Sequence, residues 1–283
     1  MASSYLNIVA FLCTTLLYYF ALKPTLTYSL YSNKTEYENY VKNNYTYLAV
    51  YFVLVMVIQF IANASIISAN CGGSISENMG FAGLFTFIPW SLIFGAIIVV
   101  LILYPGFKSA FSDVIGYYYV SSSANKLITD LLVNKELQSK LDSDATITKE
   151  KRDAMQSAAD TIIKICGNTS ILINQIVPSN FDDYWNVLKP LMKSQYQTDG
   201  DESNGMKSKL FDLVVSRDTV GEALWFTYTG TLLTSIVQLK ITNKGCASNS
   251  ATMQQNYQKF LTNENQSKTK QQQATSTVYT ITN

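Results

Sequence analysis

Three long apolar runs without a charged residue dominate the first part of this 283-residue chain, and they extend over residues 5–22, 47–67 and 81–103. About 20 apolar residues in a helix cross the hydrocarbon core of a bilayer, so each run is long enough to span it. Burial in a soluble core could explain one such run, but three in succession argue against it. Residues 1–107 are therefore predicted to form a bundle of three transmembrane helices.

The first run could also be a signal peptide that is cleaved. No Lys or Arg precedes it, and no small-x-small cleavage pattern occurs before Lys23 and Pro24. A retained span is therefore the favoured interpretation. Within the runs the notable polar residues are Asn7, Gln59 and Asn63. None is ionisable, so we expect them to form interhelical hydrogen bonds rather than a transport path.

The lysines predict the topology, because cytoplasmic loops are enriched in Lys and Arg. The loop 23–46 contains three lysines and Lys108 follows the third run, whereas residues 1–4 and 68–80 contain neither Lys nor Arg. We expect the loop 23–46 and the chain after residue 107 to face the cytosol. On this topology no Asn-x-Ser/Thr sequon would be glycosylated; the sequons begin at Asn33, Asn44, Asn63, Asn168 and Asn265.

Residues 108–244 differ from the first part, because charges appear and apolar residues recur at helical spacing. We predict a mostly helical, membrane-proximal domain there, with helices over 114–133 and 153–165 and a loop at 198–205. Residues 245–283 are rich in Gln, Asn, Ser and Thr and are predicted to form an extended polar tail. The fold class is therefore all-α.

The uncharged segment 223–239 has two interpretations. Thr227, Thr231, Thr234 and Gln238 fall on one helical stripe, and such a stripe on an apolar helix is typical of a helix at the centre of a helical domain. The alternative is a fourth transmembrane span, which would move the tail to the opposite side of the membrane. The first interpretation is favoured, and the second stays open.

Composition excludes several kinds of active site. The chain has no His, which removes His-activated nucleophiles and His-ligated zinc. P-loop, GxGxxG, HExxH and GxSxG patterns are absent from the sequence. Asp199 and Asp201 could begin a calcium loop, but Asn204 and Leu210 occupy the positions that require Gly and Glu. We expect no catalysis, cofactor or metal, and the net charge of +1 predicts no nucleic-acid partner.

Two of the four cysteines, Cys166 and Cys246, fall in the part of the chain that is predicted to face water. A disulfide between them would close a loop of about 80 residues and stabilise the fold by about 3–5 kcal/mol in the loop-entropy description. The cytosol is reducing, however, and keeps thiols free by default. Both redox states stay open.

Two segments carry a resemblance to a known family. Residues 104–119 contain an aromatic-Pro-Gly-aromatic-Lys turn followed by Phe-Ser and Gly-Tyr, which here are Tyr104, Pro105, Gly106, Phe107, Lys108, Phe111, Ser112, Gly116 and Tyr117. Residues 217–246 contain Gly-Glu-x-x-Trp, then Thr-Gly and a Cys, which here are Gly221, Glu222, Trp225, Thr229, Gly230 and Cys246. The chain thus resembles the membrane-anchored minor capsid and internal-membrane structural proteins of nucleocytoplasmic large DNA viruses. It departs from their pattern at Phe107, Ala110 and Asp113, where Trp, Pro and Asn are expected.

The resemblance implies a structural protein that acts by protein–protein contacts without catalysis. It would be anchored in the internal membrane of the virion, which derives from a host membrane, and would tether that membrane to the icosahedral capsid shell. The implied partners are the lipid bilayer, capsid or other minor capsid proteins, and further copies of the chain through the transmembrane helices. Thiol oxidases encoded by such viruses would favour the Cys166–Cys246 disulfide.

The junction Tyr104–Lys108 would set the angle between the anchor and the domain. The candidate partner contacts are Tyr117, Tyr118 and Tyr119, because Tyr supplies contact area at low entropic cost, and Val278, Tyr279 and Ile281, which alternate as in a strand that adds to a sheet edge. Two other functions stay open: a small transporter or channel subunit, and a cellular membrane tether or receptor subunit.

Overall fold

A computed structural model describes residues 5–71, 74–132, 168–244 and 250–276. The regular structure of these residues is helical, apart from one isolated antiparallel bridge between Leu132 and Met192. The helices are α1 (Leu6–Leu17), α2 (Tyr28–Ser32), α3 (Lys34–Cys71), α4 (Ile75–Pro89), α5 (Gly95–Leu103), α6 (Ser109–Phe111), α7 (Tyr117–Leu131), α8 (Thr169–Gln175), α9 (Phe181–Leu188), α10 (Ser194–Gln197), α11 (Asp201–Lys244) and α12 (Ser250–Ser276). The predicted all-α class is confirmed for this part of the chain.

Two helical segments, Lys34–Asn70 and Ile75–Leu103, are long and apolar enough to cross a membrane. The second is continuous because the π-helical turn Trp90–Phe94 follows Pro89 and joins α4 to α5. They contain the second and third predicted spans. The first predicted span lies in a shorter apolar helix, Leu6–Leu22, which ends in the π-helical turn Tyr18–Leu22.

These apolar helices and the second half of α11 share one core, and we call this assembly the apolar bundle. Aromatic rings fill its centre: Tyr18 stacks on Tyr51 with ring centroids 4.4 Å apart, and Phe94 lies 5.6 Å from Phe226 of α11. Gly230 allows α11 to approach α1, because a Cβ at that position would overlap the ring of Phe11. The helices of the bundle therefore meet at close range.

A chain of buried polar side chains connects three helices inside the apolar bundle. Asn7 Nδ2 donates to Asn63 Oδ1 at 2.6 Å, and Asn63 Nδ2 donates to Thr86 Oγ1 at 2.8 Å. Gln59 Nε2 donates to the carbonyl oxygen of Asn7 at 3.0 Å. The predicted interhelical hydrogen bonds of Asn7, Gln59 and Asn63 are thereby confirmed.

A second core is formed by α7, α8, α9 and the first half of α11, and we call this assembly the helical domain. Its buried residues include Leu131, Phe181, Trp185 and Phe211, each 2% exposed or less. The helix predicted over 114–133 is observed as α7, with a π-helical turn at Ser112–Gly116 before it. The helix predicted over 153–165 lies outside the described residues.

Helix α11 belongs to both cores, because its 44 residues give it a length of about 66 Å. Met206 and Leu210 lie in the helical domain, whereas Leu233 and Val237 lie in the apolar bundle. The segment 223–239 is therefore not the central helix of the helical domain, because its inward face packs on α1 and the aromatic rings near Phe94. The predicted loop at 198–205 is also shorter than expected, since α11 begins at Asp201, where acidic residues suit the positive helix N-terminus.

Helix α12 corrects the prediction of an extended tail, because Ser250–Ser276 is helical over 27 residues. The segment contains no Gly or Pro and has seven Gln and three Lys residues, which favour helix. The Glu264–Lys268 ion pair at spacing i, i+4 adds to that preference. The end of the tail, including Val278, Tyr279 and Ile281, lies outside the described residues.

Candidate functional site

The segments 104–119 and 217–246 meet in the structure, although they are far apart in sequence. Trp225 Nε1 donates a hydrogen bond to the carbonyl oxygen of Phe107 at 2.8 Å. The ring of Phe111 meets the ring of Trp225 edge-on, with centroids 5.1 Å apart. The tryptophan of α11 thus holds the turn that follows the third apolar run.

A cluster of opposite charges lies beside this contact. Lys108 Nζ is 3.0 Å from both Glu222 Oε2 and Asp218 Oδ2. Lys23, which follows the first apolar run, also pairs with Glu222, and Tyr19 Oη donates to Glu222 Oε1 at 3.1 Å. We call these five residues the ion-paired junction. It connects the ends of two apolar helices to the middle of α11.

Burial and charge act in opposite directions on these groups. Burial alone would raise the pKa of the Glu222 carboxyl, which is 12% exposed, but the charges and hydrogen bonds of Lys23 and Lys108 outweigh it and lower the pKa to about 2. Burial likewise opposes the charged form of Lys108, yet Glu222 and Asp218 raise the pKa of its ammonium group above the usual value. Because the pKa of Glu222 is depressed, its stabilising contribution is present above about pH 4 and is lost as the pH falls towards 2.

Two glycines allow α11 to touch the turn before α7. A Cβ at Gly221 would lie 2.7 Å from the Cβ of Ser112 and 3.0 Å from the carbonyl oxygen of Lys108. A Cβ at Gly116 would lie 2.6 Å from the carbonyl oxygen of Arg217. Gly116 lies in the segment 104–119 and Gly221 in the segment 217–246, so each segment contributes one glycine to a close approach of the two backbones.

Arg217 is buried one and a half turns before Glu222 on the same helix, with 1% of its side chain exposed. It donates to the carbonyl oxygens of Ile173 and Ile176, the latter at 3.0 Å, and to Asn174 Oδ1 at 3.3 Å. Ile173 lies in the last turn of α8 and Ile176 is its C-cap, where backbone carbonyls lack the usual partner four residues on. The carboxylate of Asp113 lies 3.8 Å from the same guanidinium and supplies the opposite charge. Arg217 therefore fixes α8 to α11.

The structure separates the other predicted site residues. Tyr118 and Tyr119 are 82% and 70% exposed on α7, whereas Tyr117 packs against the core of the helical domain. Tyr104 and Phe107 are exposed at the turn, and Lys108 points into the ion-paired junction. Cys166 and Cys246 lie outside the described residues, so their redox state stays a prediction.

The sequence predicts Lys108 as a junction residue and places Glu222 in the segment 217–246, but it predicts neither ion pair of Glu222, with Lys108 or with Lys23. It also does not predict the role of Arg217. The position of Lys23 directly after an apolar run could have predicted an ion pair, because a lysine that is buried there needs an opposite charge. No comparable signal marks Arg217, whose partners are mainly backbone carbonyls. Among the described residues, no group of three or more Cys, Asp or Glu side chains could hold a metal ion.

No protein-family description, curated protein or solved structure matches this chain.

Replacing Glu222 by Gln is expected to destabilise the protein by about 3 kcal/mol, because two buried ammonium groups lose a shared counter-charge. Thermal unfolding of the purified protein, followed by circular dichroism, measures the change. Asp199→Asn is the control, because Asp199 pairs with Lys189 at the surface and is 82% exposed. The control should leave the melting temperature unchanged. Equal melting temperatures for wild type and the Glu222 variant would contradict the assigned role of the ion-paired junction.

The close approach at Gly221 predicts opposite effects for two Gly→Ala substitutions in α11. Gly221→Ala should destabilise the protein by about 1–3 kcal/mol, because the methyl group collides with Ser112 and the backbone at Lys108. Gly205→Ala should be neutral or stabilise it by up to about 1 kcal/mol, because its Cβ meets nothing within 4 Å and Ala favours helix. The same unfolding measurement compares them. Equal shifts in both variants would mean that helix propensity alone sets the result.

Proposed function

We propose that this chain is a structural membrane protein that tethers the internal membrane of a large icosahedral DNA virus to the capsid shell. The observation that carries the proposal is the ion-paired junction, with Lys108 and Glu222 in contact. It joins the two segments that resemble the viral proteins, and its carboxylates are held by lysines. Such a joint is suited to fixing an anchor against a domain by contacts, without turnover.

The apolar bundle would be the membrane anchor. Many outward-facing side chains of the apolar helices Leu6–Leu22, α3 and Ile75–Leu103 are apolar, for example Phe20, Val53 and Leu92. Water would oppose this exposure, whereas lipid would not. The polar chain Asn7–Asn63–Thr86 is internal and hydrogen-bonded, as such groups are in membrane bundles.

The second half of α11 would be a fourth span beside the other three. Its outward face is also apolar, with Leu232, Ile236 and Leu239 exposed. Its buried hydroxyl at Thr234 donates to the carbonyl oxygen of Gly230 at 2.6 Å, so the helix itself satisfies it. The uncharged segment 223–239 has 17 residues and would reach about 25 Å, close to the thickness of the hydrocarbon core.

A fourth span changes the predicted topology after residue 239. The helical domain would stay on the cytosolic side, where Lys23, Lys108 and Arg217 lie near the span ends. Helix α12 would then lie on the other side of the membrane, together with the N-terminus. The surface that meets the capsid would be the helical domain, where Tyr118 and Tyr119 are exposed.

Glycosylation of Asn265 distinguishes four spans from three. Asn265 is exposed on α12 and begins the sequon Asn265-Gln266-Ser267. When the chain is expressed in mammalian cells, four spans place this sequon in the lumen, so an endoglycosidase should lower the apparent mass of the protein. Asn265→Gln should abolish the shift, and Asn33→Gln, a matched change in the cytosolic loop, should not. Protease protection of a tag after residue 283 gives an independent answer, and an unprotected tag would favour three spans.

Cross-linking mass spectrometry on purified virions tests the tether itself. Lys126 and Lys209 are exposed on the helical domain and should link to capsid or other minor capsid proteins. Lys108 is only 15% exposed within the ion-paired junction and is the internal control that should give no such links. If Lys126 and Lys209 link only to other copies of the chain or to membrane proteins, the tether proposal fails.

A further inference from the structure

A groove of about 640 Å³ lies beside the ion-paired junction, between the end of α1, the segment 23–27 and one face of α11. Leu16, Phe20 and Ala223 line the end that would lie in the membrane, and Ser216 and Thr219 line part of the opposite end. A volume of this size is typical of pockets that hold one small molecule. Leu16 and Phe20 are four residues apart on this helix, so its wall of the groove covers about one helical turn, or about 6 Å.

The charges in the groove favour an uncharged occupant. The described lining contains one base, Lys23, and its ammonium group is already held by Glu222. Asp212 is the one acid among the described lining residues, and it would repel a phosphate. A phospholipid headgroup therefore finds no free cation here. Hydroxyl groups are abundant instead: nine of the described lining residues carry one, among them Tyr19, Thr25, Ser216 and Thr219.

The sequence of this helix end matches a pattern proposed for sterol contact. Leu16, Tyr19 and Lys23 are spaced as Leu-x₂-Tyr-x₃-Lys, within the Leu/Val-x₁₋₅-Tyr-x₁₋₅-Lys/Arg pattern. Such a short pattern is weak by itself. The structure supports the sterol interpretation of this pattern, because all three side chains line the same groove at the boundary of the apolar bundle. The hydrogen bond from Tyr19 to Glu222 also holds the tyrosine ring in place.

We propose that this groove binds one membrane sterol, an inference that rests on the membrane placement proposed above. The single hydroxyl of the sterol lies at the level of Lys23 and Tyr19. Its rigid apolar rings lie against Leu16, Phe20 and Ala223. A flat, uncharged molecule with one hydroxyl satisfies both the apolar and the hydroxyl-rich parts of the lining without disturbing the ion-paired junction.

Photolabelling of the full-length chain tests this site. The protein is reconstituted in phosphatidylcholine vesicles that contain a photoactivatable cholesterol analogue, and labelled peptides are mapped by mass spectrometry. Labelling should saturate, should fall when unlabelled cholesterol is added, and should concentrate on residues 15–27 and 212–227. Ala223→Trp fills the groove and should reduce labelling of these peptides by about tenfold.

Ala96→Trp is the matched control, because Ala96 is exposed on α5 and does not line the groove. It should label like the wild-type protein. Equal labelling of the two Trp variants, labelling spread over all lipid-facing peptides, or competition by phosphatidylcholine in place of cholesterol would overturn the sterol site. Vesicle flotation separates the two proposals. A chain that floats without specific labelling loses only the sterol site, whereas a chain that fails to float loses the membrane placement.

Discussion

The carboxylate of Glu222 determines how the parts of this molecule are held together. It forms ion pairs with Lys23, which follows the first apolar helix, and with Lys108, which follows the third. One buried anion thereby fixes the positions of the first apolar helix, the third apolar helix and α11 relative to one another along their axes. A shift of α11 by one residue would move the carboxylate by about 1.5 Å along the axis and rotate it by about 100°, away from both lysines. The two ammonium groups would then be buried without a counter-charge, which is strongly unfavourable.

Glycines complement this electrostatic constraint with a steric one. Gly221 and Gly116 bring α11 against the turn before α7, and Gly230 brings it against Phe11. In lipid the hydrophobic effect gives little force between helices, so association depends on close contact and on hydrogen bonds such as Asn63 to Thr86. Ion pairs, close glycine contacts and buried amides are therefore the features that would hold the apolar bundle together in the proposed membrane.

Part of the junction could be predicted from the sequence. Lys108 is a predicted junction residue, whereas Gly221, Glu222 and Trp225 were noted only as members of the segment 217–246. The structure brings these residues together, and the sequence predicts no contact among them. Lys23 and Arg217 were not selected, because their partners are distant along the chain or are backbone carbonyls. Local sequence patterns indicate which residues are unusual among their neighbours. They do not indicate which residues, distant along the chain, supply the hydrogen bonds or opposite charges that those residues need.

The sequence alone determined the helical class, the positions of the apolar runs and the hydrogen-bonding role of Asn7, Gln59 and Asn63, because hydropathy and helical period are properties of consecutive residues. Only the tertiary structure decided where the segment 223–239 belongs. Its threonine stripe is compatible with a domain centre and with a membrane bundle, and the choice depends on which surface it contacts. Contact with Phe11 and the rings near Phe94 places it in the apolar bundle. The groove beside Lys23 likewise exists only in three dimensions, since its walls come from segments about 200 residues apart.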